Sequence, residues 1–122
     1  MANYVYDLVG LPLLFSRPRR KLKSQDLLVG GDGPVSTKSG HPIPRAGFIK
    51  SVSASVEDLS DVTFQVVRND TAAVLYSLTL SNEKIKVVDQ LYVAVPAGVS
   101  LGCKMVVNSG KVSFPVVNVE WV

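Results

Sequence analysis

The chain has 122 residues, enough for one domain and too few for two full hydrophobic cores. Apolar residues make up 47% and charged residues 19%, so the composition excludes a wholly disordered chain. A single cysteine and a single histidine exclude a disulfide framework within the chain and a cysteine-rich zinc site. No apolar run approaches the ~18 residues of a membrane-spanning helix, so we expect no membrane partner.

The net charge of +3 is unevenly distributed along the chain. Residues 1–47 hold seven basic and three acidic side chains, together with five of the seven prolines and six of the nine glycines. Residues 48–122 hold six basic and seven acidic side chains. This contrast predicts an extended, basic and hydrophobic N-terminal arm over residues 1–47 and a compact domain over residues 48–122.

Residues 48–122 alternate between apolar and polar side chains with a period of two, which is typical of β-strands. Between residues 48 and 56, even-numbered positions are mainly apolar and odd-numbered positions are mainly serine. The same alternation recurs in four further rows: Val62, Phe64 and Val66; Val74, Tyr76, Leu78 and Leu80; Leu91, Val93 and Val95; Cys103, Met105 and Val107. Pro115 changes the phase of the last segment, which indicates an edge position or a bulge there.

Strands spaced by roughly 8–12 residues with turn signals between them predict an all-β, antiparallel sandwich or barrel. Residues 82–88 are either a short strand or a linking turn. The acidic run at residues 57–61 lies between two predicted strands, and we expect it to be a solvated turn, because its oxygen-ligand spacing is incomplete for a calcium site.

The beginning of the arm is strongly apolar, with three aromatic and six branched aliphatic side chains in residues 3–15. Leaving them in water would cost ~25 cal/mol per Å² of apolar surface. The segment therefore either adds a strand to its own domain or docks on another chain, and its proline and glycine content favours docking. The side chains predicted to contact a partner are Tyr4, Tyr6, Leu8, Leu11, Leu13, Leu14 and Phe15.

A basic run follows at residues 17–23, with five cations in seven positions. It could bind nucleic acid, an anionic membrane or an acidic protein surface, or it could simply be solvated. Nucleic acid is disfavoured because the run lacks interleaved aromatic residues and Pro18 disfavours a helix. We favour an acidic protein surface, with these contact residues: Arg17, Arg19, Arg20, Lys21 and Lys23.

Other candidate chemistry is weak. Residues 29–40 resemble a phosphate-binding loop only superficially and are interpreted as a connector. His41 lies in extended chain, and Cys103 shares the phase of Met105, which predicts a buried core thiol. Because no base, oriented nucleophile and oxyanion site occur together, we expect no catalytic residues, metal ligands or cofactor, and no enzyme activity.

Three stretches carry a resemblance to a known family: residues 43–56, which open with Ile43-Pro44-Arg45-Ala46-Gly47, residues 62–71, which end in Asn69-Asp70-Thr71, and Asp89-Gln90-Leu91-Tyr92-Val93-Ala94-Val95. Over residues 43–122 the chain resembles small β-sandwich domains of tailed-bacteriophage structural proteins, among them capsid decoration (cement) proteins, head fibres and tail appendages. The resemblance implies an antiparallel, jelly-roll-like β-sandwich behind the arm. It brings no catalytic residues.

Within that family the arm favours a cement protein that binds the outer surface of an assembled phage head and stabilises it. The expected partners are the major capsid protein and the chain itself, as a homodimer or homotrimer, because a small domain has edges to cover. The expected location is the exterior of the virion capsid, after synthesis in the host cytoplasm. The alternative is a receptor- or carbohydrate-binding domain of a head fibre or tail appendage, with Tyr76, Tyr92 and Trp121 as candidate exposed aromatics.

Overall fold

The computed structural model describes residues 11–17, 22, 29–30, 41–43, 45–68, 71 and 73–122. Its eight strands are β1 Leu11–Ser16, β2 Val29–Gly30, β3 His41–Pro42, β4 Gly47–Arg68, β5 Val74–Val88, β6 Val93–Val95, β7 Ser100–Ser109 and β8 Val116–Trp121. The described residues include no helix, and hence none that could cross a lipid bilayer. The prediction of an all-β fold is confirmed.

Two long strands, β4 and β5, run through both layers of the fold. The first half of β4 pairs with β8, and its second half pairs with β7. β5 lies antiparallel to β4 along both halves. The β4–β5 register shifts around Ser60, where an extra residue lets a strand bend and twist without ending. The hairpin therefore passes from one layer into the other.

The two layers face each other across one hydrophobic core. The first layer has the order β2-β1-β8-β4, with β6 and the second half of β5 on the far side of β4. The second layer has the order β3-β7-β4-β5. All of these pairings are antiparallel. The molecule is thus an antiparallel, jelly-roll-like β-sandwich.

Alternation along the strands decides which side chains enter the core. Both layers contribute to a single buried cluster that includes Leu13, Phe15, Val52, Ala54, Val62, Phe64, Val66, Leu78, Leu80, Leu101, Cys103, Met105, Val117, Val119 and Trp121. The period-two rows predicted for β4, β5 and β7 supply most of these side chains. Cys103 is fully buried, which confirms the prediction of a core thiol.

The acidic run at residues 57–61 is part of β4, not a turn between two strands. Glu57, Asp58 and Leu59 are exposed, and alternation resumes at Ser60, whose hydroxyl donates to the Asp58 carbonyl oxygen at 2.8 Å. Residues 82–88 likewise continue β5. In both places the polar residues that suggested a turn lie where a strand bends between the layers.

A bulge at Lys50 reverses the phase of β4 near its beginning. Ile49 pairs with Trp121 and Ser51 with Glu120, so Lys50 is an extra residue on β4. As a result Ile49 is buried and Phe48 is 47% exposed. The prediction that placed Phe48 in the buried apolar row is wrong, because the alternation of the sequence does not reveal where a bulge inserts an extra residue.

The described part of residues 1–47 belongs to the sandwich. β1 lies beside β8 from the Leu11–Trp121 pair to the Ser16–Val116 pair. Near β3, the Ile43 amide donates to the Val99 carbonyl oxygen at 2.8 Å. β1 and β3, which fall within the predicted arm, thus pair with strands of residues 48–122, and β1 supplies apolar side chains to the core of the first layer. Residues 1–10, 18–21, 23–28, 31–40 and 44, the remainder of the arm, lie outside the described residues.

Candidate functional site

The side chains predicted to contact a partner fall into different environments. Leu13 and Phe15 are 4% and 1% exposed and belong to the core of their own sandwich. Leu11 pairs with β8, Leu14 is 47% exposed, and Arg17 is half-buried. Over residues 11–16 the segment adds a strand to its own domain. The other predicted contacts lie outside the described residues and stay predictions: Tyr4, Tyr6, Leu8, Arg19, Arg20, Lys21 and Lys23.

The side of the first layer that points away from the core is a surface shared by β1, β8, β4 and β5. Directly paired residues of neighbouring antiparallel strands place their side chains on the same side. Two adjacent rows follow from the register: Leu14, Asn118, Ser53 and Val87 in one, and Ser16, Val116, Ser55 and Ile85 in the other. We call these eight residues the outer face. None of these eight carries a charge, and the next row on the same side, where Ser51 pairs with Glu120, brings one carboxylate.

Aliphatic side chains stand exposed at both margins of the outer face. Leu14 is 47% exposed on β1, and Ile85 and Val87 are 64% and 65% exposed on β5. The serine, asparagine and valine side chains between them are half-buried. Exposed aliphatic side chains that border two rows of uncharged side chains are typical of a protein interaction site.

A hydrogen-bonded kink places Ile85 and Val87 on this surface. Asn82 has a φ of 54°, in the left-handed region, and turns β5 towards the first layer. Its amide donates to Asp61 Oδ1 at 2.7 Å, and the Ser109 hydroxyl donates to Asp61 Oδ2 at 2.9 Å. One carboxylate on β4 therefore ties together the bend of β5 and the end of β7.

A second candidate site is a cleft of about 610 Å³ at one end of the first layer. Phe48 and Tyr92 meet there edge to face, with ring centroids 6.3 Å apart and ring planes at 74°. Tyr92 is 87% exposed. We call this site the aromatic cleft; its lining residues are Phe48, Lys50, Asp89, Gln90, Leu91, Tyr92 and Val122.

The backbone shapes the aromatic cleft by two irregularities. The bulge puts Lys50 on the lining and turns Phe48 outward. The Lys50 carbonyl oxygen accepts from the Leu91 amide at 2.8 Å, which holds the segment between β5 and β6 against β4. Gln90 has a φ of 58°, and its amide donates to Asp89 Oδ1 at 2.8 Å. Both irregularities are of kinds that occur preferentially at binding sites.

Sequence reasoning identified half of the aromatic pair. Of the three candidate aromatics, Tyr92 is exposed, Tyr76 is half-buried and Trp121 is 4% exposed. Phe48 was missed because the alternation placed it in the core. The 43 positions between Phe48 and Tyr92 carry no signal for their contact, which depends on the bulge and on the pairing of β4 with β6.

Metal-ligating side chains and the single thiol are the other groups that could carry chemistry. Within the described ranges, no three His, Cys, Asp or Glu side chains are grouped so that they could hold a metal ion. Burial raises the pKa of the Cys103 thiol far above its usual range, because the thiolate would be desolvated. A thiol in this state is a packing group and a poor nucleophile.

Comparison with known proteins extends the description of the fold. No protein-family model matches the sequence, and no curated protein matches it. A chain of the acidic stable capsid structure of Helicobacter pylori bacteriophage KHP30 is similar in structure, with a TM-score of 0.53 and 14% identity over 93% of this chain and 86% of that one. The globular domain of zebrafish complement 1qA protein has a TM-score of 0.50 and 11% identity, over 88% of this chain and 94% of that one. At these identities the likeness concerns the fold: the chain shares its sandwich with a protein of a phage capsid structure and with a complement domain.

Proposed function

We propose that this chain is a structural protein of a tailed-phage virion, a cement protein that binds the outer surface of the assembled head and stabilises it. The observation that carries the proposal is the outer face, eight uncharged residues with exposed Leu14, Ile85 and Val87 at its margins. The likeness of the fold to a chain of a phage capsid structure supports the same role.

The energetics of such a role follow from repetition. Covering the aliphatic margins of the outer face gains ~25 cal/mol per Å² of apolar surface, which makes one contact modest. A head repeats the same joint over its whole lattice, so modest contacts add up when a bound copy touches more than one subunit. A ligand that binds only the assembled lattice stabilises it, by about 2.7 kcal/mol per site at a concentration of 100 times Kd.

The proposed partners are the major capsid protein and a second copy of this chain. In the proposal the outer face contacts capsid subunits, and the cations of residues 17–23 pair with acidic groups of the capsid surface. The second half of β5 offers a route to self-association. Among the described strands its neighbour is β4, which leaves its other edge able to extend the sheet into another copy.

The test is a head-binding assay with a variant that alters the outer face and leaves the core intact. Ile85→Glu combined with Val87→Glu introduces two charges at exposed positions, so the sandwich should fold normally. Empty heads built from the major capsid protein of the same virus are mixed with each protein and sedimented, and bound copies are counted. We expect at least tenfold weaker binding, because each carboxylate would be desolvated in the joint.

The matched control is Leu59→Glu, which changes a 59% exposed aliphatic residue at the bend of β4, away from the outer face. It should bind heads like the unaltered protein. Equal binding by the double variant would refute docking through the outer face. A separate variant that neutralises Arg19, Arg20, Lys21 and Lys23 tests the basic run, and its unaltered occupancy on heads would remove the run from the mechanism.

A further inference from the structure

We propose that the aromatic cleft binds a neutral saccharide, a function separate from docking on a head. Its volume of about 610 Å³ lies within the ~300–1,000 Å³ of small-molecule sites. Its lining combines two aromatic rings with a cation, a carboxylate and an amide side chain. A few polar groups around an apolar platform are the usual composition of a site that fixes a ligand's orientation.

Tyr92 provides the platform. Its side chain is 87% exposed, so the ring is accessible to a ligand. A pyranose ring has an apolar C–H face that packs on an aromatic face, as aromatic side chains do in other recognition sites. The edge-to-face contact with Phe48, at 6.3 Å between centroids, limits the orientations of the tyrosine ring before any ligand arrives.

The polar residues of the lining match the rim of a sugar. Asp89 accepts hydrogen bonds, Lys50 donates them, and the side-chain amide of Gln90 does both. Neighbouring sugar hydroxyls each donate and accept, so their chemistry is complementary to all three kinds of group. The two charged side chains of the lining, Lys50 and Asp89, have opposite signs, so these side chains select neither an anion nor a cation.

The backbone holds these groups in place. The backbone amide of Leu91 donates to the Lys50 carbonyl oxygen, and the backbone amide of Gln90 donates to the Asp89 carboxylate. Gln90 is kept in the left-handed region, where a residue other than glycine costs ~1 kcal/mol or more. Local strain of this kind, held by defined hydrogen bonds, is typical of a site preorganised for a ligand.

Two other ligand classes fit the cleft less well. A quaternary ammonium ion is best held by several aromatic faces that enclose it, and this lining offers two rings that meet edge to face. A nucleobase gains most from being enclosed between parallel rings, and the rings of Phe48 and Tyr92 stand at 74°. Choline and adenosine monophosphate therefore serve as probes for these classes in the experiment.

The experiment starts with a microarray of neutral and acidic bacterial and animal glycans, followed by calorimetric titration of the best-bound neutral oligosaccharide. We expect binding of neutral pyranose saccharides. Tyr92→Ala should weaken the titrated affinity about tenfold or more, as truncation of an aromatic anchor commonly does. Tyr92→Phe keeps the ring and should stay within about threefold, since a lost exposed hydroxyl removes one modest hydrogen bond.

The controls separate this inference from the proposed function. The Ile85→Glu and Val87→Glu double variant should keep its saccharide affinity, and Tyr92→Ala should keep its occupancy on heads. An array without bound neutral glycans would overturn the inference, as would an unchanged affinity in Tyr92→Ala. Binding of choline or adenosine monophosphate that depends on Tyr92 and exceeds that of every neutral glycan would overturn it in favour of another ligand class.

Discussion

Phe15→Ala tests whether the apolar segment near the beginning of the chain is an integral strand of the sandwich. Phe15 is 1% exposed and lies opposite Val117 on β8 and Gly30 on β2. A side chain in this position stabilises the isolated chain. An apolar arm that waited for a partner would contribute nothing to the stability of the isolated chain, so the two descriptions of the segment give opposite expectations.

The expected loss follows from the burial. Truncating a fully buried phenylalanine to alanine costs ~3–5 kcal/mol, as lost transfer free energy and a residual cavity. The total free energy of unfolding of a domain is ~5–15 kcal/mol, so the variant should lose a large part of its stability. The free energy of unfolding falls by roughly 1.5 kcal/mol per M of urea, so this loss should lower the urea midpoint by about 2–3 M.

Urea unfolding followed by the fluorescence of Trp121 measures this directly. Trp121 is the sole tryptophan, is 4% exposed and lies opposite Leu11 on β1. The matched control is Leu14→Ala, next to Phe15 in sequence but 47% exposed, which should shift the free energy of unfolding by less than about 1 kcal/mol. If Phe15→Ala unfolded at the same urea concentration as the unaltered protein, the assignment of β1 to the core would be refuted.

Three further variants or measurements probe the sandwich. Gly47→Ala should lower the free energy of unfolding by ~1–3 kcal/mol, because a Cβ there would collide with the Val122 carbonyl oxygen; an unchanged urea midpoint would contradict this contact. Asp61→Ala should cost about 1 kcal/mol by releasing the Asn82 amide and the end of β7, again read from the urea midpoint. The Cys103 thiol should resist alkylation at pH 8 until urea unfolds the chain, because burial raises its pKa; rapid labelling of the folded protein would show otherwise.

The alternation of side chains made the second half of β4 and β7 predictable from sequence. Val62, Phe64 and Val66 are all buried, as are Cys103 and Met105. The period of two is a local property, because successive side chains of a strand point to opposite faces whatever the strand pairs with. A strand with one buried face must therefore alternate between apolar and polar residues, and this alternation can be recognised without knowing the partner strands.

Pairing between distant segments was not predictable in the same way. The sequence of residues 11–16 is equally compatible with a strand added to its own sheet and with docking on another chain. The strand that it pairs with lies about a hundred positions away, at residues 116–121. The bulge at Lys50 is equally hidden, since its cause is the register of β4 against β8. Both candidate sites depend on such long-range register: the outer face on the rows across four strands, and the aromatic cleft on the outward turn of Phe48.

The two sites share one side of the sandwich, and this has a consequence for their use. Phe48 points outward from the same layer as Ser53 and Ser55, and Asp89 of the cleft follows Val87 of the outer face by two residues. A capsid surface that covers the outer face therefore extends to the rim of the aromatic cleft. Saccharide binding should be weaker on decorated heads than on the free chain, measured with equal numbers of copies. Equal binding would mean that the docked surface stops short of the aromatic cleft and leaves it facing solvent.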